Sequence, residues 1–237
     1  MQLPAPLAEL ASRPREAAIL LDVDGTLAPI VADPTQSRVP EPTRTELRRL
    51  LGRYALVGCL TGRPQQVARR IVGVDGVEIV GEHGLELEPE AERWLPVLER
   101  FGRTDAWPSE AKRLTVAFHY RTAEDEEAAV RILRGIAREA EQDGLVARWG
   151  RKVLELRPPV DAHKGTAVAH LLERRGIRRA MFAGDDLTDL DGFGAMEQLE
   201  LGVKVAVASP EGPPGLRERA DVVVDGPDGL LELLRLL

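Results

Sequence analysis

Two aspartates follow directly on an apolar run in the stretch AAILLDVDGTLAPI, which covers residues 17–30. Asp22 and Asp24 lie one residue apart, and carboxylates this close repel, so that one would hold a proton unless a cation lay between them. A second acidic pair, Asp185 and Asp186, follows the apolar run AMFAG in the same way. Mg²⁺ typically binds a few carboxylate oxygens together with waters and a substrate phosphate. We therefore expect the two acidic groups to share one Mg²⁺.

An Asp-x-Asp-Gly sequence does not by itself require a metal site. In isolation, a sequence of this kind is about as often a plain Asx turn. A calcium-binding loop is excluded, because counting from Asp22 places Leu27 where the loop requires glycine. Aligning Gly192 with that glycine instead places Leu187 at the first ligand position. Four sequence elements occur along the chain in the order DVDGT, LTGR, Lys164 and GDD, and together they favour a catalytic site over a plain turn.

The elements that must position these residues are short apolar runs that alternate with helical patterns. The runs are apolar on both faces, as the strands of a covered parallel sheet are. They cover residues 17–21, 55–60, 77–80, 180–183, 203–207 and 222–224. Helical spacing covers residues 64–71, 164–175 and 229–237, and it also follows a capping-box pattern of Thr43 and Glu46. This order predicts an α/β fold with a Rossmann-like, doubly wound parallel sheet, whose active site lies beyond the carboxyl ends of its strands.

Residues 89–158 break this alternation. The stretch LTVAFHYR alternates apolar and polar residues, one long helix covers about residues 123–142, and the short strands GLVARWG and KVLELRP follow. A β-rich sheet with one face covered by a helix predicts a second, smaller α/β domain inserted into the first. The expected division is therefore a core of residues 1–88 and 159–237 and an inserted domain of residues 89–158.

Composition restricts the class of protein. The chain has 237 residues, of which 43 % are apolar and 30 % charged, as in ordinary soluble globular proteins. Its net charge of −7 argues against nucleic acid and against an anionic membrane surface as partners. Cys59, the only cysteine, lies in the apolar run YALVGCL and is expected to be a buried, inert thiol. With neither a secretory signal nor an apolar stretch of about 20 residues, the expected location is the cytoplasm.

With DVDGT, LTGR, Lys164 and GDD in this order, the chain resembles the haloacid dehalogenase-like (HAD) phosphatases over essentially its whole length. The resemblance implies that Asp22 is a nucleophile that forms an aspartyl-phosphate. It implies that Asp24 is the general acid and base, which protonates the leaving alkoxide and then activates water. Thr61 and Lys164 would bind the phosphoryl oxygens, the lysine as a point charge.

The same resemblance implies a metal site and a cap. Mg²⁺ would be held by Asp22, the backbone carbonyl of Asp24 and Asp185. Asp186 and Asp189 would hold these ligands in position without binding the metal themselves. Phosphoryl transfer needs mainly positioning and charge neutralisation, which agrees with the Mg²⁺ expected from the acidic groups alone. The inserted domain follows LTGR, where the larger α/β caps of this superfamily enter, and such a cap selects the substrate and excludes water.

Four segments narrow the resemblance to the trehalose-6-phosphate phosphatases: GEHGLELE (81–88), SEAKRLTVAFHYR (109–121), GRKVLELRP (150–158) and GDDLTDLDGF (184–193). In that family, cap residues reach the disaccharide, and the matching residues here are Glu110, Lys112, Arg121, Arg151 and Glu155. Arg151 stands where the family prefers lysine, and Leu190 replaces an acidic residue of the last segment. The implied activity is Mg²⁺-dependent hydrolysis of trehalose 6-phosphate to trehalose and phosphate, a step of trehalose biosynthesis.

Several alternatives stay open. The substrate could be another sugar phosphate, such as mannosyl- or glucosyl-phosphoglycerate or sucrose phosphate. The chain could also be a non-catalytic sugar-phosphate sensor, although a sensor need not keep both a nucleophile and its acid. The cap residues could be no more than solvated strand faces, and Trp94, Trp107 and Trp149 are expected in a small cap core. No role is assigned to His83 or His119, and protein partners are left open.

Overall fold

The computed structural model describes residues 2–150, 152–209 and 212–237. The chain forms two compact units, one made of Met1–Gly84 with Ala162–Leu237 and the other of Leu85–Asp161. We call them the core unit and the inserted unit. The boundaries expected at residues 89 and 158 lie just inside the inserted unit. Within the described ranges, no helix is both long enough and apolar enough to cross a membrane.

The first part of the core unit alternates helices with strands. Its elements are α1 (Ala5–Ala11), β1 (Ala17–Leu21), α2 (Glu41–Arg53), β2 (Leu56–Leu60), α3 (Gln65–Val72) and β3 (Glu78–Val80). Every residue of β1 and β2 is buried, and Cys59 is a buried free thiol, as expected. The prediction that a capping box at Thr43 begins α2 is wrong, because the helix already begins at Glu41. Pro42 occupies its first turn, where a missing backbone N–H removes no hydrogen bond, and Thr43 is buried within the helix.

In its described residues, the inserted unit contains two α-helices and four strands. They are α4 (Leu95–Gly102), β4 (Glu110–Ala111), β5 (Val116–His119), α5 (Glu126–Gln142), β6 (Val146–Gly150) and β7 (Val153–Arg157). The strands form an antiparallel sheet in the order β4-β5-β7-β6. Asp125 begins α5 by accepting a hydrogen bond from the backbone N–H of Ala128, which satisfies one of the free donors of the first turn.

One face of this sheet forms a small hydrophobic core with α4 and α5. The sheet residues in it are Val116, Phe118, Leu154 and Leu156. Trp94 and Trp107 pack against this core, in agreement with the sequence. The expectation for Trp149 is wrong, since this residue lies on the edge strand β6, is 41 % exposed and contacts the ring of Tyr120 edge-on.

The chain returns to the core unit with α6 (Lys164–Glu173), β8 (Arg179–Gly184), α7 (Asp189–Met196), β9 (Leu201–Ala208), α8 (Pro214–Arg219), β10 (Val222–Asp225) and α9 (Gly226–Leu236). The core sheet has the order β10-β9-β8-β1-β2-β3, and each of these pairs is parallel. The expected doubly wound parallel sheet is confirmed. From β1 the strands follow one another in chain order towards one edge of the sheet, through β2 to β3. From β8 they follow one another towards the opposite edge, through β9 to β10, so the direction reverses between β1 and β8. In sheets of this type, ligands bind beyond the carboxyl ends of the strands at such a reversal.

Candidate active site

Three carboxylates meet where strand order reverses. Asp22 follows β1, and Asp185 follows β8, whose last residues pair with those of β1. Asp189 begins α7 and is fully buried. Oxygens of these three side chains all lie within 4.8 Å of one another. The expectation that the acidic groups of DVDGT and GDD come together is therefore met for Asp22 and Asp185, with Asp189 beside them.

Lys164, the first residue of α6, lies among these carboxylates. Its Nζ donates hydrogen bonds to Asp22 Oδ1 at 2.6 Å and to Asp189 Oδ1 at 2.5 Å, and the lysine is only 3 % exposed. Burial alone would lower the pKa of Lys164, but the carboxylates of Asp189 and Asp22 outweigh it and raise the pKa above its usual value. The ammonium group is therefore charged, and its charge cannot balance three carboxylates.

Excess negative charge is reflected in the other pKa values of this group. Burial raises the pKa of Asp22 well above its usual value, with the carboxylates of Asp189 and Asp185 acting in the same direction and Lys164 opposing them. Burial and the neighbouring Asp189 also raise the pKa of Asp185 to about 7. A set of carboxylate oxygens that repel one another in this way fits a hard divalent cation such as Mg²⁺.

The turn after β1 brings backbone close to Asp185. Gly25 has a positive φ of 89°, and a Cβ atom at this position would lie 2.1 Å from Asp185 Oδ2. Only glycine fits both conditions. Thr26, the next residue, is buried and donates its hydroxyl to Asp185 Oδ1 at 2.9 Å. This turn therefore fixes one oxygen of Asp185 through Thr26 and lets the backbone of Gly25 approach the other.

Asp189 also fixes the turn that carries Asp185. Its Oδ2 accepts hydrogen bonds from the backbone N–H groups of Asp185 and Asp186, each at 2.9 Å. The side chain of Asp186 is exposed, and its Oδ1 accepts from the backbone N–H of Leu187. The structure thus places Asp189 inside the acidic group and the Asp186 carboxylate outside it.

The Asp24 carboxylate lies apart from this group and is bound by Arg63. Nε and Nη2 of Arg63 donate to the two Asp24 oxygens at 2.6 and 2.7 Å, and the Ser37 hydroxyl donates to Oδ1 at 3.0 Å. Nη1 of Arg63 donates to the carbonyl of Pro34 at 3.0 Å. Sequence reasoning missed both partners. Arg63 was visible as the arginine of LTGR, whereas Ser37 carries no sequence signal.

Thr61 follows β2, is buried, and accepts a hydrogen bond at Oγ1 from the backbone N–H of Arg63 at 3.2 Å. The turn after β3 supports this loop, because the N–H groups of Glu82 and His83 donate to the carbonyls of Arg63 and Thr61. Both supporting residues have positive φ angles, 47° and 54°, and strained backbone of this kind is concentrated at functional sites. A Cβ atom on Gly62 would lie 2.4 Å from His83 Nε2. His83, which the sequence left without a role, therefore packs on the loop between Thr61 and Arg63.

The expected sugar-binding residues lie on the inserted unit. Glu110 on β4 and Glu155 on β7 both pair with Ala117 of β5, so they share the face of the sheet opposite its hydrophobic core. Lys112 Nζ lies 3.6 Å from Glu155 Oε1, and His119 Nε2 lies 2.9 Å from Glu110 Oε2. We call the face that carries Glu110, Lys112, His119 and Glu155 the polar face.

The two expected arginines are less well defined. Arg121 is exposed and follows β5 by two residues. Arg151 lies outside the residues that the structure describes. The structure thus brings together three of the five expected residues and adds His119 beside them.

The family model of trehalose-phosphatase matches residues 20–99 and 96–221 of this chain. A trehalose-phosphate phosphatase of Mycobacterium avium is 33 % identical over 204 residues, covering 77 % of this chain and 52 % of that protein. The chain spans about half the length of this and other mycobacterial relatives that it matches.

Two solved structures share the fold. The C-terminal domain of the C. albicans trehalose-6-phosphate phosphatase has a TM-score of 0.75 at 20 % identity, covering 99 % of this chain and 97 % of that chain. A haloacid dehalogenase-like hydrolase from Bacteroides thetaiotaomicron has a TM-score of 0.67 at 17 % identity, covering 92 % and 98 %. The fold of this chain is therefore that of the HAD phosphatases.

Proposed function

Because this chain belongs to the trehalose-phosphatase family, we propose that it is a Mg²⁺-dependent phosphatase that hydrolyses trehalose 6-phosphate to trehalose and phosphate. The observation that carries the proposal is the buried group of three carboxylates around Lys164, at the point where strand order reverses. Its excess negative charge suits a divalent cation that also binds a phosphate. The partner is then a small phosphorylated sugar, and we propose the cytoplasm as the location.

In this mechanism Asp22 attacks the phosphorus atom and forms an aspartyl-phosphate as the sugar oxygen leaves. Lys164, hydrogen-bonded to Asp22, would balance charge on the phosphoryl oxygens, and Thr61 would donate its hydroxyl to them. Asp22, Asp185 and the backbone carbonyl of Asp24 would hold Mg²⁺. When bound, the cation supplies positive charge to the phosphate and to the carboxylates.

Asp189 and Asp186 are proposed to support the metal ligands. One oxygen of Asp189 accepts from Lys164, and the other accepts from two backbone N–H groups of the turn after β8. Both oxygens of Asp189 are therefore already engaged in positioning the turn and the lysine. Asp186 contributes its backbone N–H to the same arrangement.

Asp24 is the proposed general acid and base. Arg63 donates one hydrogen bond to each oxygen of Asp24, and in its ionised form this carboxylate would take a proton from the attacking water in the second step. To protonate the leaving sugar oxygen in the first step, Asp24 has to hold a proton on one oxygen, while its other oxygen still accepts a hydrogen bond from Arg63. Arg63 therefore positions Asp24 in both steps.

Recognition of the sugar is assigned to the polar face of the inserted unit. Glu110, Lys112 and Glu155 offer donors and acceptors on one face, and sugar hydroxyls, which both donate and accept, match such a mixture. Arg121 and Arg151 complete the proposed set. Binding energy from this part of the substrate would help to assemble the site around the phosphate.

The test is the release of phosphate from a panel of sugar phosphates, with Mg²⁺ and with EDTA. Trehalose 6-phosphate should have the highest kcat/KM, and glucose 6-phosphate, which lacks the second sugar, should be at least about tenfold poorer. Comparable values for these two would refute the trehalose assignment and leave another sugar phosphate as substrate. Absence of phosphate release from every member of the panel would refute the phosphatase and favour a sensor.

A further inference from the structure

A cavity of about 510 Å³ lies at the edge of the core sheet where β1 and β8 begin. Arg179, the first residue of β8, lines it, and so does Glu16, which directly precedes β1. The proposed catalytic residues follow the opposite ends of the same two strands. Five residues at about 3.3 Å each separate the two sites by roughly 17 Å. The cavity is therefore distinct from the proposed active site.

The lining of this cavity is rich in arginine, although the whole chain has a net charge of −7. Its charged residues are Arg15, Arg175, Arg178, Arg179, Glu16 and Glu200. Glu16 is paired with Arg13, outside the cavity, and Arg175 is paired with Glu78. Among the described residues, Arg15 and Arg178 have no ion-pair partner, and the four arginines of the lining outnumber its two glutamates, so the cavity carries an excess of positive charge.

Arg179 provides a second, independent observation. It is only 7 % exposed, and its Nη2 donates to the carbonyl of Glu9 at 3.1 Å while Nη1 lies 3.5 Å from Glu200 Oε1. Within the described part of the chain, its buried Nε has no hydrogen-bond partner. This atom is buried away from the cavity, so Arg179 contributes to the lining a fixed positive charge rather than a free hydrogen-bond donor.

We propose that this cavity binds a small phosphate-bearing anion. Guanidinium groups bind phosphate oxygens with two parallel hydrogen bonds, and the unpaired Arg15 and Arg178 offer such donors, while Arg179 adds a buried positive charge. The volume is that of a small-molecule site. The ligand is either inorganic phosphate or the phosphate group of a metabolite, and these two sources share the same recognition chemistry.

The experiment measures binding of pyrophosphate and of inorganic phosphate by calorimetry in EDTA. Without Mg²⁺, the three carboxylates of the proposed active site repel both probes and weaken binding there, and the part of the measured binding that is lost in the lining variants belongs to the cavity. Arg178→Glu places a negative charge in the lining, and Arg70→Glu on the exposed side of α3 is the control with the same change in net charge. Arg15→Glu makes the same change at the second unpaired arginine of the lining.

Pyrophosphate should bind the wild-type chain and the Arg70→Glu variant equally, and Arg178→Glu should weaken binding by about tenfold or more, the effect of losing a charged hydrogen bond. Arg15→Glu should weaken binding to a similar extent, and both variants are at exposed residues, so their folding should be unaffected. Tighter binding of pyrophosphate than of inorganic phosphate assigns the site to a metabolite with more than one phosphate, and equal binding assigns it to phosphate itself.

Three outcomes would overturn the proposal. They are the absence of binding at millimolar pyrophosphate, an equal loss in Arg178→Glu and Arg70→Glu, and a wild-type dimer that Arg178→Glu converts to a monomer. The last would mean that carboxylates of a second copy of the chain fill the cavity. Because no turnover is measured, these results are independent of whether the chain is a phosphatase.

Discussion

Replacing Arg63 with alanine should slow the enzyme selectively on substrates that have poor leaving groups. The guanidinium holds both oxygens of Asp24, at 2.6 and 2.7 Å, and is itself anchored to the carbonyl of Pro34. Without it, Asp24 keeps the hydrogen bond from Ser37. A general acid that is less well positioned reaches the leaving oxygen less often, so protonation of the sugar alkoxide becomes slower.

The size of the effect follows from the two lost hydrogen bonds. Hydrogen bonds to charged groups contribute about 1.5–3 kcal/mol each. The side chains of Arg63 and Asp24 are 22 % and 27 % exposed, so solvent screens the pair. We expect about 1.4–2.8 kcal/mol in total, which lowers kcat/KM for trehalose 6-phosphate by about 10- to 100-fold.

The assay compares trehalose 6-phosphate with p-nitrophenyl phosphate, whose leaving group departs without a proton. Arg63→Ala should reduce the second rate by less than about threefold, Asp24→Asn should show the same selectivity, and Arg63→Lys should be intermediate. Equal losses on both substrates would mean that Arg63 has a structural role or binds the phosphate directly. A faster kcat in Arg63→Ala would mean that the arginine restrains Asp24, and either result would refute the reasoning.

Three other changes test the remaining assignments. Asp22→Asn, which keeps the shape but not the nucleophile, should lower kcat by about 10³-fold or more in the phosphate-release assay. In EDTA, the pKa of Asp185 is about 7 in the folded state and about 4 in the unfolded state. Between these two values the folded state holds a proton that the unfolded state has lost. The stability that this proton contributes is therefore complete below about pH 4 and is lost as the pH rises to about 7. The melting temperature in EDTA should therefore fall over that range, and Mg²⁺ should raise it most at the upper end. Lys112→Met should lower kcat/KM for trehalose 6-phosphate by about 10- to 100-fold and leave p-nitrophenyl phosphate unaffected.

Each of these tests has a control. Asp22→Asn should keep a cooperative melting transition, and more than about a hundredth of wild-type activity would exclude covalent catalysis through Asp22. A Mg²⁺ effect that does not vary with pH would remove Asp185 from the metal site. Lys152→Met is the control for Lys112→Met, because Lys152 lies on the same unit and pairs with Glu126. Equal losses in the two lysine variants would remove the polar face from substrate recognition.

The fold of the core unit could be predicted because its strands are continuous apolar runs. Such runs are typical of strands covered on both faces, and a carboxylate at the end of a buried strand is conspicuous. Asp22 and Asp185 were therefore placed together without knowledge of the structure. The start of α2 was missed because Pro42 and Thr43 both occur near helix beginnings, and the sequence does not decide which of them lies inside the helix.

Contacts between side chains that are distant in sequence could not be predicted. The hydrogen bonds of Arg63 and Ser37 with Asp24 depend on how three loops approach one another, and no residue spacing encodes that approach. The same holds for the cavity of Arg15 and Arg178, whose lining residues come from segments more than 150 positions apart. Trp149 was misplaced because alternation of apolar residues does not tell an edge strand from a central one.

The position of β1 between β2 and β8 has a consequence for synthesis of the chain on the ribosome. β2 emerges soon after β1, but Ala17 pairs with Arg179, and β8 is completed only after the whole inserted unit. At about 5–20 residues per second, the roughly 120 residues between β2 and the end of β8 take on the order of 6–24 s to synthesise. Throughout that time β1 has an unpaired edge and an apolar surface, which favour association with other nascent chains. The inserted unit is continuous in sequence and has its own hydrophobic core, so it can fold during this wait, whereas the core sheet depends on protection until its second half arrives.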